Sequence, residues 1–292
     1  MKRFVIVPAL LALLALAVPA DNLLNQNDGP IELELVGETG FVAVLAHTIQ
    51  VGEGGSLFNF RTEGGQEILF PISRLTAEVT AADRHTVILL YQPLEIATQV
   101  RFDAARTIDQ ATFDANEGVN VTYSFPFYRV SYLYDFAAAD NLELAAGLSL
   151  QLRNASVRFV SVNGDVNGDP GDIAVSQDLG PVPIVKVRAE YRFDDAAIPG
   201  AFLGLEADGF YASSAFINGA SYEFSGSIYD VSLRAGFMPR PGVDVFANVR
   251  ALGGGASGTR PDEARDFWSQ SQSGFTDNFL STLSLTLGAR VR

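Results

Sequence analysis

The side chains best placed to do chemistry in this chain are charged residues that alternate with apolar ones. Lys186, Arg188, Glu190 and Arg192 are interleaved with Val185, Val187, Ala189, Tyr191 and Phe193. Glu206, Asp208, Glu223, Asp230, Arg234, Asp244 and Arg250 likewise stand opposite apolar faces. A period of two sends successive side chains to opposite sides of a strand, so these charges all share the side that the apolar residues leave. Two chemistries are open to such a set. Opposite charges held close interlock as ion pairs, because a buried charge requires a partner. The same charges spaced around water line a polar conduction path.

A second candidate lies in the run from Asn163 to Asp172. Asp165, Asn167 and Asp169 fall at the first, third and fifth ligand positions of a calcium loop, where hard oxygen donors wrap a cation. The match ends there, because Pro170 occupies the glycine position and Ser176 stands where a bidentate Glu belongs. The other reading is a solvated loop rich in turn formers.

Catalytic groups are few. The chain has two histidines, His47 and His85, and neither has a Ser and a carboxylate at a spacing that marks a triad. Both read as structural, and no catalytic residue or cofactor is assigned. Gly52 to Gly55 and Gly253-Gly254-Gly255 read as loop tips, since a phosphate-binding turn needs a following helix and a Lys-Ser/Thr pair.

The elements that must position these residues are strands. From Leu142 to Leu152 every even position is apolar, while the odd positions are Glu143, Ala145, Gly147, Ser149 and Gln151. The same alternation returns from Val231 to Phe237, from Val243 to Ala251 and from Leu283 to Val291. Short links at 81–84, 137–140, 194–200 and 238–242 alternate with longer polar links at 52–67, 103–117, 161–182, 213–220 and 253–277. Ten strands result, at about 40–51, 68–80, 85–102, 118–136, 141–160, 183–193, 201–212, 221–237, 243–252 and 278–291. The alternation of Ile31, Leu33 and Leu35 with Glu32 and Glu34 extends the first strand or adds another, so eight to twelve strands are allowed. Val119, Val121, Tyr123 and Phe125 are apolar at odd positions, whereas Tyr128, Val130, Tyr132, Tyr134 and Phe136 are apolar at even ones. That change at Pro126-Phe127 predicts a β-bulge. Tyr132, Tyr134 and Phe136, beside a short turn, are the expected aromatic girdle.

Export is written at the start of the chain. Lys2 and Arg3 precede an apolar run from Phe4 to Val18 and the small-residue site Val18-Pro19-Ala20, so residues 1–20 are expected to be a cleavable signal peptide. Beyond Ala20 no stretch approaches the apolar length of a spanning helix, and a membrane address then demands a closed sheet. The 292 residues carry 20 basic against 34 acidic side chains and no cysteine. That balance argues against a nucleic-acid partner, which needs Lys and Arg to neutralise phosphates, and it excludes disulfides and thiolate metal sites.

Signal, alternating strands and the asymmetry of short turns and long loops together resemble the outer-membrane β-barrel proteins of Gram-negative bacteria. The resemblance spans nearly all of the exported chain and implies an all-β, antiparallel, up-and-down transmembrane barrel located in the outer membrane. It also implies outer-membrane lipid, lipopolysaccharide and the barrel-assembly machinery as partners. Members of the class commonly end in an aromatic residue, and this chain ends Ala289-Arg290-Val291-Arg292. Omptin-like proteases, lipid A deacylases and acyltransferases are also barrels, but their catalytic residues find no match here.

The expected organisation is a signal at 1–20, an N-terminal periplasmic segment at 21–39 and a barrel at 40–292. The expected function is non-enzymatic, either structural or a narrow porin-like passage for small polar solutes. The alternatives are a membrane-embedded hydrolase or lipid-modifying enzyme, and a surface-binding module that uses the acidic loops.

Overall fold

A computed structural model describes residues 31–292 apart from 53, 110, 138, 163–172, 195–196, 215–223 and 260–274. The signal peptide expected at 1–20 and residues 21–30 of the segment expected at 21–39 lie outside the described residues. Fifteen strands follow in chain order: β1 Ile31–Val51, β2 Phe58–Asn59, β3 Leu69–Ala81, β4 His85–Gln92, β5 Glu95–Arg101, β6 Arg106–Ile108, β7 Ala111–Phe113, β8 Gly118–Ser124, β9 Phe127–Asp135, β10 Leu142–Ser161, β11 Ile173–Arg192, β12 Phe202–Ser213, β13 Phe224–Arg240, β14 Val243–Thr259 and β15 Phe275–Val291. No α-helix occurs among the described residues.

Ten of these strands close a ring in which every neighbour is antiparallel. The order is β1, β3, β4, β9, β10, β11, β12, β13, β14, β15 and back to β1. β5 continues β4 beyond Pro93 and Leu94, and β8 leads into β9 through Phe125 and Pro126, so the ten strands expected from alternation are all present. On the short-turn side closure pairs each of the ten strands with both neighbours, which is the condition for placing a sheet in lipid. The four short connections fall at one rim, together with Ile31 and Arg292; the five long ones fall at the other. The β3–β4 turn is tight, with Ala82 and Asp83 at positive φ.

Two boundaries move. Leu35 pairs with Val291 on one side and Ala77 on the other, so Ile31–Val36 extends the first strand, and the division at residue 40 falls inside β1. Gly253-Gly254-Gly255 is strand and not a loop tip: these residues pair with Tyr229, Ile228 and Ser227 on one side and with Ser281, Leu280 and Phe279 on the other. Glycine is required there by the neighbours. A Cβ on Gly254, at φ +154°, would meet the Ser227 carbonyl oxygen at 2.2 Å.

The predicted bulge at Pro126 is absent. Ser124 pairs with Ser156 and Phe127 with Arg153, so no residue is inserted, and odd positions face inward on both sides of the break. It is the interior that changes. Above Pro126 the inward residues Val119, Val121 and Tyr123 are apolar; below it they include Arg129 and Ser131. The outer face reverses in step. Below the break Tyr128, Val130, Tyr132 and Tyr134 are exposed and apolar or aromatic, whereas β5 turns Glu95, Ala97, Gln99 and Arg101 outward.

The protein therefore has two interiors. On the short-turn side, the barrel is apolar outside and mostly polar inside, the pattern of a wall in lipid. On the long-loop side, the same strands are polar outside and enclose an apolar core that includes Phe58, Phe60, Ile96, Phe102, Phe113, Val121 and Phe159. β2 and the β6–β7 hairpin bring aromatic side chains into this dome from the long loops. Strands such as β10 and β11, 20 residues each, are about twice the 9–11 residues needed to cross a bilayer, which leaves length for the dome.

Candidate functional site in the barrel lumen

Ten of the eleven charges predicted from alternation are on described residues, and all ten engage in ion pairs inside the barrel; Glu223 lies outside the described residues. Near the short-turn rim, Arg290 reaches Asp244 at 2.6 Å and Glu190 at 2.7 Å, and Arg192 reaches the same Asp244 at 3.0 Å. Arg292 joins them through Asp244 and Glu34. Phe202 lies beneath both Arg192 and Arg290, each guanidinium 5.0 Å from the ring centre, a contact that attracts a cation to the negative face of the ring.

Further in, Arg188 grips Glu78 with two hydrogen bonds of 2.7 and 3.0 Å and approaches Glu206 at 3.1 Å. Lys186 donates to Glu206 at 2.9 Å and Asp208 at 3.0 Å. Arg234 stands over Phe246 at 4.6 Å and within 3.9 Å of Glu38. Asp230 then takes Arg250 at 2.7 Å, Arg129 at 3.1 Å and Arg74 at 3.6 Å. Arg129 crosses the lumen, donating to Gln151 at 2.7 and 3.0 Å on one side and ion-pairing with Asp230 and Asp208 on the other.

Sequence reasoning passed over Glu34, Glu38, Arg74, Glu78, Arg129, Glu143, Arg290 and Arg292. The signal was present: Glu34 and Glu38 share the even, inward positions of β1, and Arg129 alternates with the exposed Tyr128 and Val130. With these included, the acids Glu34, Glu38, Glu78, Glu143, Glu190, Glu206, Asp208, Asp230 and Asp244 meet an equal number of bases, Arg74, Arg129, Lys186, Arg188, Arg192, Arg234, Arg250, Arg290 and Arg292. Among the described residues the paired charges of the lumen are thus equal in number although the whole chain is acidic. Burial dictates this, since an unpaired charge in low dielectric costs several kcal/mol.

The network is dry. Arg129, Lys186, Asp208 and Asp230 are at most 3% exposed. The space among Arg74, Glu78, Arg129, Lys186 and Arg188 is a cavity of about 10 Å³, room for no more than about one water. Above Arg129, Leu90 and Leu252 pack with Phe125, and the aromatic dome follows.

The remaining candidates are placed as follows. His47 is buried in the dome, stacked on Phe60 with ring centres 3.9 Å apart, and its Nδ1 is 2.8 Å from Gln66 Oε1. It lies beyond Leu45, the last exposed apolar residue of β1, and so outside the membrane-spanning part of that strand. Burial pushes its imidazole down to about 4. His85 faces outward near the short-turn rim, its Nδ1 2.8 Å from the Tyr132 hydroxyl, within the exposed aromatic set of Tyr132, Tyr134 and Phe136. Asp165, Asn167 and Asp169 lie outside the described residues.

No protein-family model matches the chain, and no curated protein does either. Solved structures similar to it are the outer membrane protease OmpT from Escherichia coli, 10% identical with a TM-score of 0.45 over 89% of this chain and 96% of that one, and a FadL homologue of Pseudomonas aeruginosa, 10% identical with a TM-score of 0.37 over 89% and 90%. The attachment invasion locus protein Ail of Yersinia pestis is also similar, at 10% identity and a TM-score of 0.32 over 89% and 99%. What identifies the fold is the chain's own geometry. Closed on itself, apolar on the outer face of its short-turn half, filled there with paired charges and turned tightly at one rim, the chain is an antiparallel β-barrel of ten strands with the wall of a barrel built for lipid.

Proposed function

We propose that the barrel is a non-conducting, non-enzymatic structural element of the outer membrane: a rigid anchor that holds a folded dome beyond the lipid. The observation that carries this reading is the crossing of the lumen by Arg129. Its guanidinium is buried between Gln151 and the carboxylates of Asp208 and Asp230, with the aromatic core stacked above. A column of water able to carry polar solutes would wet these side chains. Balanced charge also removes any net field that would draw one sign of ion through. The two histidines support a structural part for themselves, one wedged between Phe60 and Tyr123 and the other hydrogen-bonded in the aromatic girdle. On this reading the partners are outer-membrane lipid and lipopolysaccharide along the belt, and the assembly machinery during insertion.

The test is a conductance trace of the purified barrel in planar bilayers. No steps above background are expected, in wild type or in Phe60→Ala, because the charged layer below the dome still closes the lumen. Reproducible steps from the wild type would overturn the proposal in favour of a narrow pore.

A further inference from the structure

Alternation on four strands turns cations toward one small space in the charged layer. Arg74 of β3, Arg129 of β9, Lys186 and Arg188 of β11 and Arg234 of β13 all line the cavity of about 10 Å³. Only two carboxylates line it with them, Glu78 and Glu206. Glu38, Asp208 and Asp230 pair with the same cations from outside the cavity. The cavity wall is therefore locally positive, with five cations against two carboxylates, inside a layer whose paired charges are equal in number.

A guanidinium carries five N–H donors, and a buried donor without an acceptor costs free energy. At this cavity the acceptors run out. Arg234, 8% exposed, makes no hydrogen bond among the described residues. Its nearest carboxylate oxygens, on Glu206 and Glu38, stand 3.8 and 3.9 Å away, beyond hydrogen-bond reach, and its Nε has no partner. Arg188 engages Glu78 and Glu206 through its two terminal nitrogens and leaves Nε unpartnered. Arg74 makes one hydrogen bond, to Gln92 at 3.3 Å.

The two acids in the wall cannot make up the difference. Glu78 already accepts both bonds from Arg188, and Glu206 is taken by Lys186 at 2.9 Å and Arg188 at 3.1 Å. Ile88 and Leu90, also in the wall, offer no polar atom.

We propose that this cavity is a binding site for a single chloride ion, held by Arg74, Arg188 and Arg234. The excess of donors selects the occupant. A water accepts two hydrogen bonds but must also donate two, and both carboxylates in the wall are already taken; a monatomic anion only accepts. Size selects it as well, because a space for about one water admits a monatomic ion and excludes sulfate, phosphate or a carboxylate. Bound there, the ion offsets the repulsion among the three guanidinium groups and ties β3, β11 and β13 together across the lumen. The site needs the folded charged layer and does not depend on whether the lumen conducts.

The experiment refolds the full barrel in detergent at fixed ionic strength, with sodium chloride exchanged for sodium gluconate, whose anion is too large for the cavity. Urea unfolding is followed by circular dichroism, and crystals grown in sodium bromide locate the ion by anomalous scattering. A ligand held only by the folded state should raise the folded-to-unfolded ratio about tenfold for each tenfold rise in chloride above the dissociation constant. A bromide peak is expected in the cavity, against Arg188 Nε and Arg234. Thr76→Ile, which fills the space and keeps every charge, should abolish both the chloride response and the peak. Arg234→Gln should weaken chloride binding at least tenfold. Equal stability in chloride and gluconate, or no bromide peak in the cavity of the folded wild type, would overturn the site. A chloride response that persists in Thr76→Ile would overturn it too, and if neither variant folds the wild-type bromide map decides alone.

Discussion

Pro93 faces Pro126 across the barrel wall. Gln92 pairs with Phe127 and Glu95 with Ser124, so the two prolines stand opposite each other at the one break shared by both strands. Neither can donate to the ladder, and the register continues unshifted on both sides. At this level the outer face passes from Tyr91 and Tyr128, stacked with ring centres 5.0 Å apart, to Glu95. The proline pair marks where the wall leaves lipid.

This boundary is testable by charge. Val130→Arg, on the lipid face below the prolines, should destabilise the barrel by about 2–4 kcal/mol, while Ala97→Arg, outward but above them, should cost about 0–1 kcal/mol. Urea unfolding in lipid vesicles measures both. Equal costs would place the boundary elsewhere.

The charge network makes a second prediction. Asp230 is shared by Arg74, Arg129 and Arg250, so Asp230→Ala leaves three buried guanidinium groups without their common partner. Removal of one member of a buried pair costs about 3–5 kcal/mol, and the urea midpoint should fall accordingly. Glu143→Ala, at a partly exposed carboxylate 3.6 Å from Arg188, should cost well under half as much.

His47 makes the dome sensitive to acid. Its folded pKa lies near 4 against an ordinary 6.5, because burial against Phe60 disfavours the imidazolium. A base whose folded pKa is lowered contributes stability that is complete above the unfolded pKa and lost as pH falls from 6.5 towards 4. The full effect is at most roughly 3 kcal/mol. The protection factors of amides in residues 58–66, corrected for the intrinsic pH dependence of exchange, should therefore fall between pH 7 and pH 5, and His47→Phe should flatten that dependence. An unchanged pH response in His47→Phe would assign it to other groups.

Gly254 makes a fourth prediction through its backbone. At φ +154°, with the Ser227 carbonyl oxygen 2.2 Å from where a Cβ would stand, Gly254→Ala should destabilise the barrel by about 1–3 kcal/mol. Gly209, whose added Cβ meets nothing nearer than 3.7 Å, is the control, and thermal scans of the two alanine variants should separate clearly.

The ten strands were legible because their cause is local. A wall between lipid and a polar lumen imposes a period of two on each strand, and Leu142 to Leu152 or Val185 to Phe193 displays it without help from neighbours. The inward charges followed from the same rule, and Arg129 and Glu38 were readable by it as well. The bulge expected at Pro126 is absent for a physical reason: alternation reports which face is apolar, and a change of apolar face is the same whether a residue is inserted or the surroundings invert. In the folded protein the strand keeps its direction, and its surroundings invert from lipid outside to apolar core inside. Gly253 to Gly255 misled in the same way, since only the packing of β13 and β15 explains glycine within a strand. The sequence by itself determined the strands, their two faces and the rim of short turns, because each depends on residues a few positions apart. Only the tertiary structure decided which charge meets which and where the dome begins, because those depend on strands up to hundreds of residues apart being brought side by side by closure of the ring.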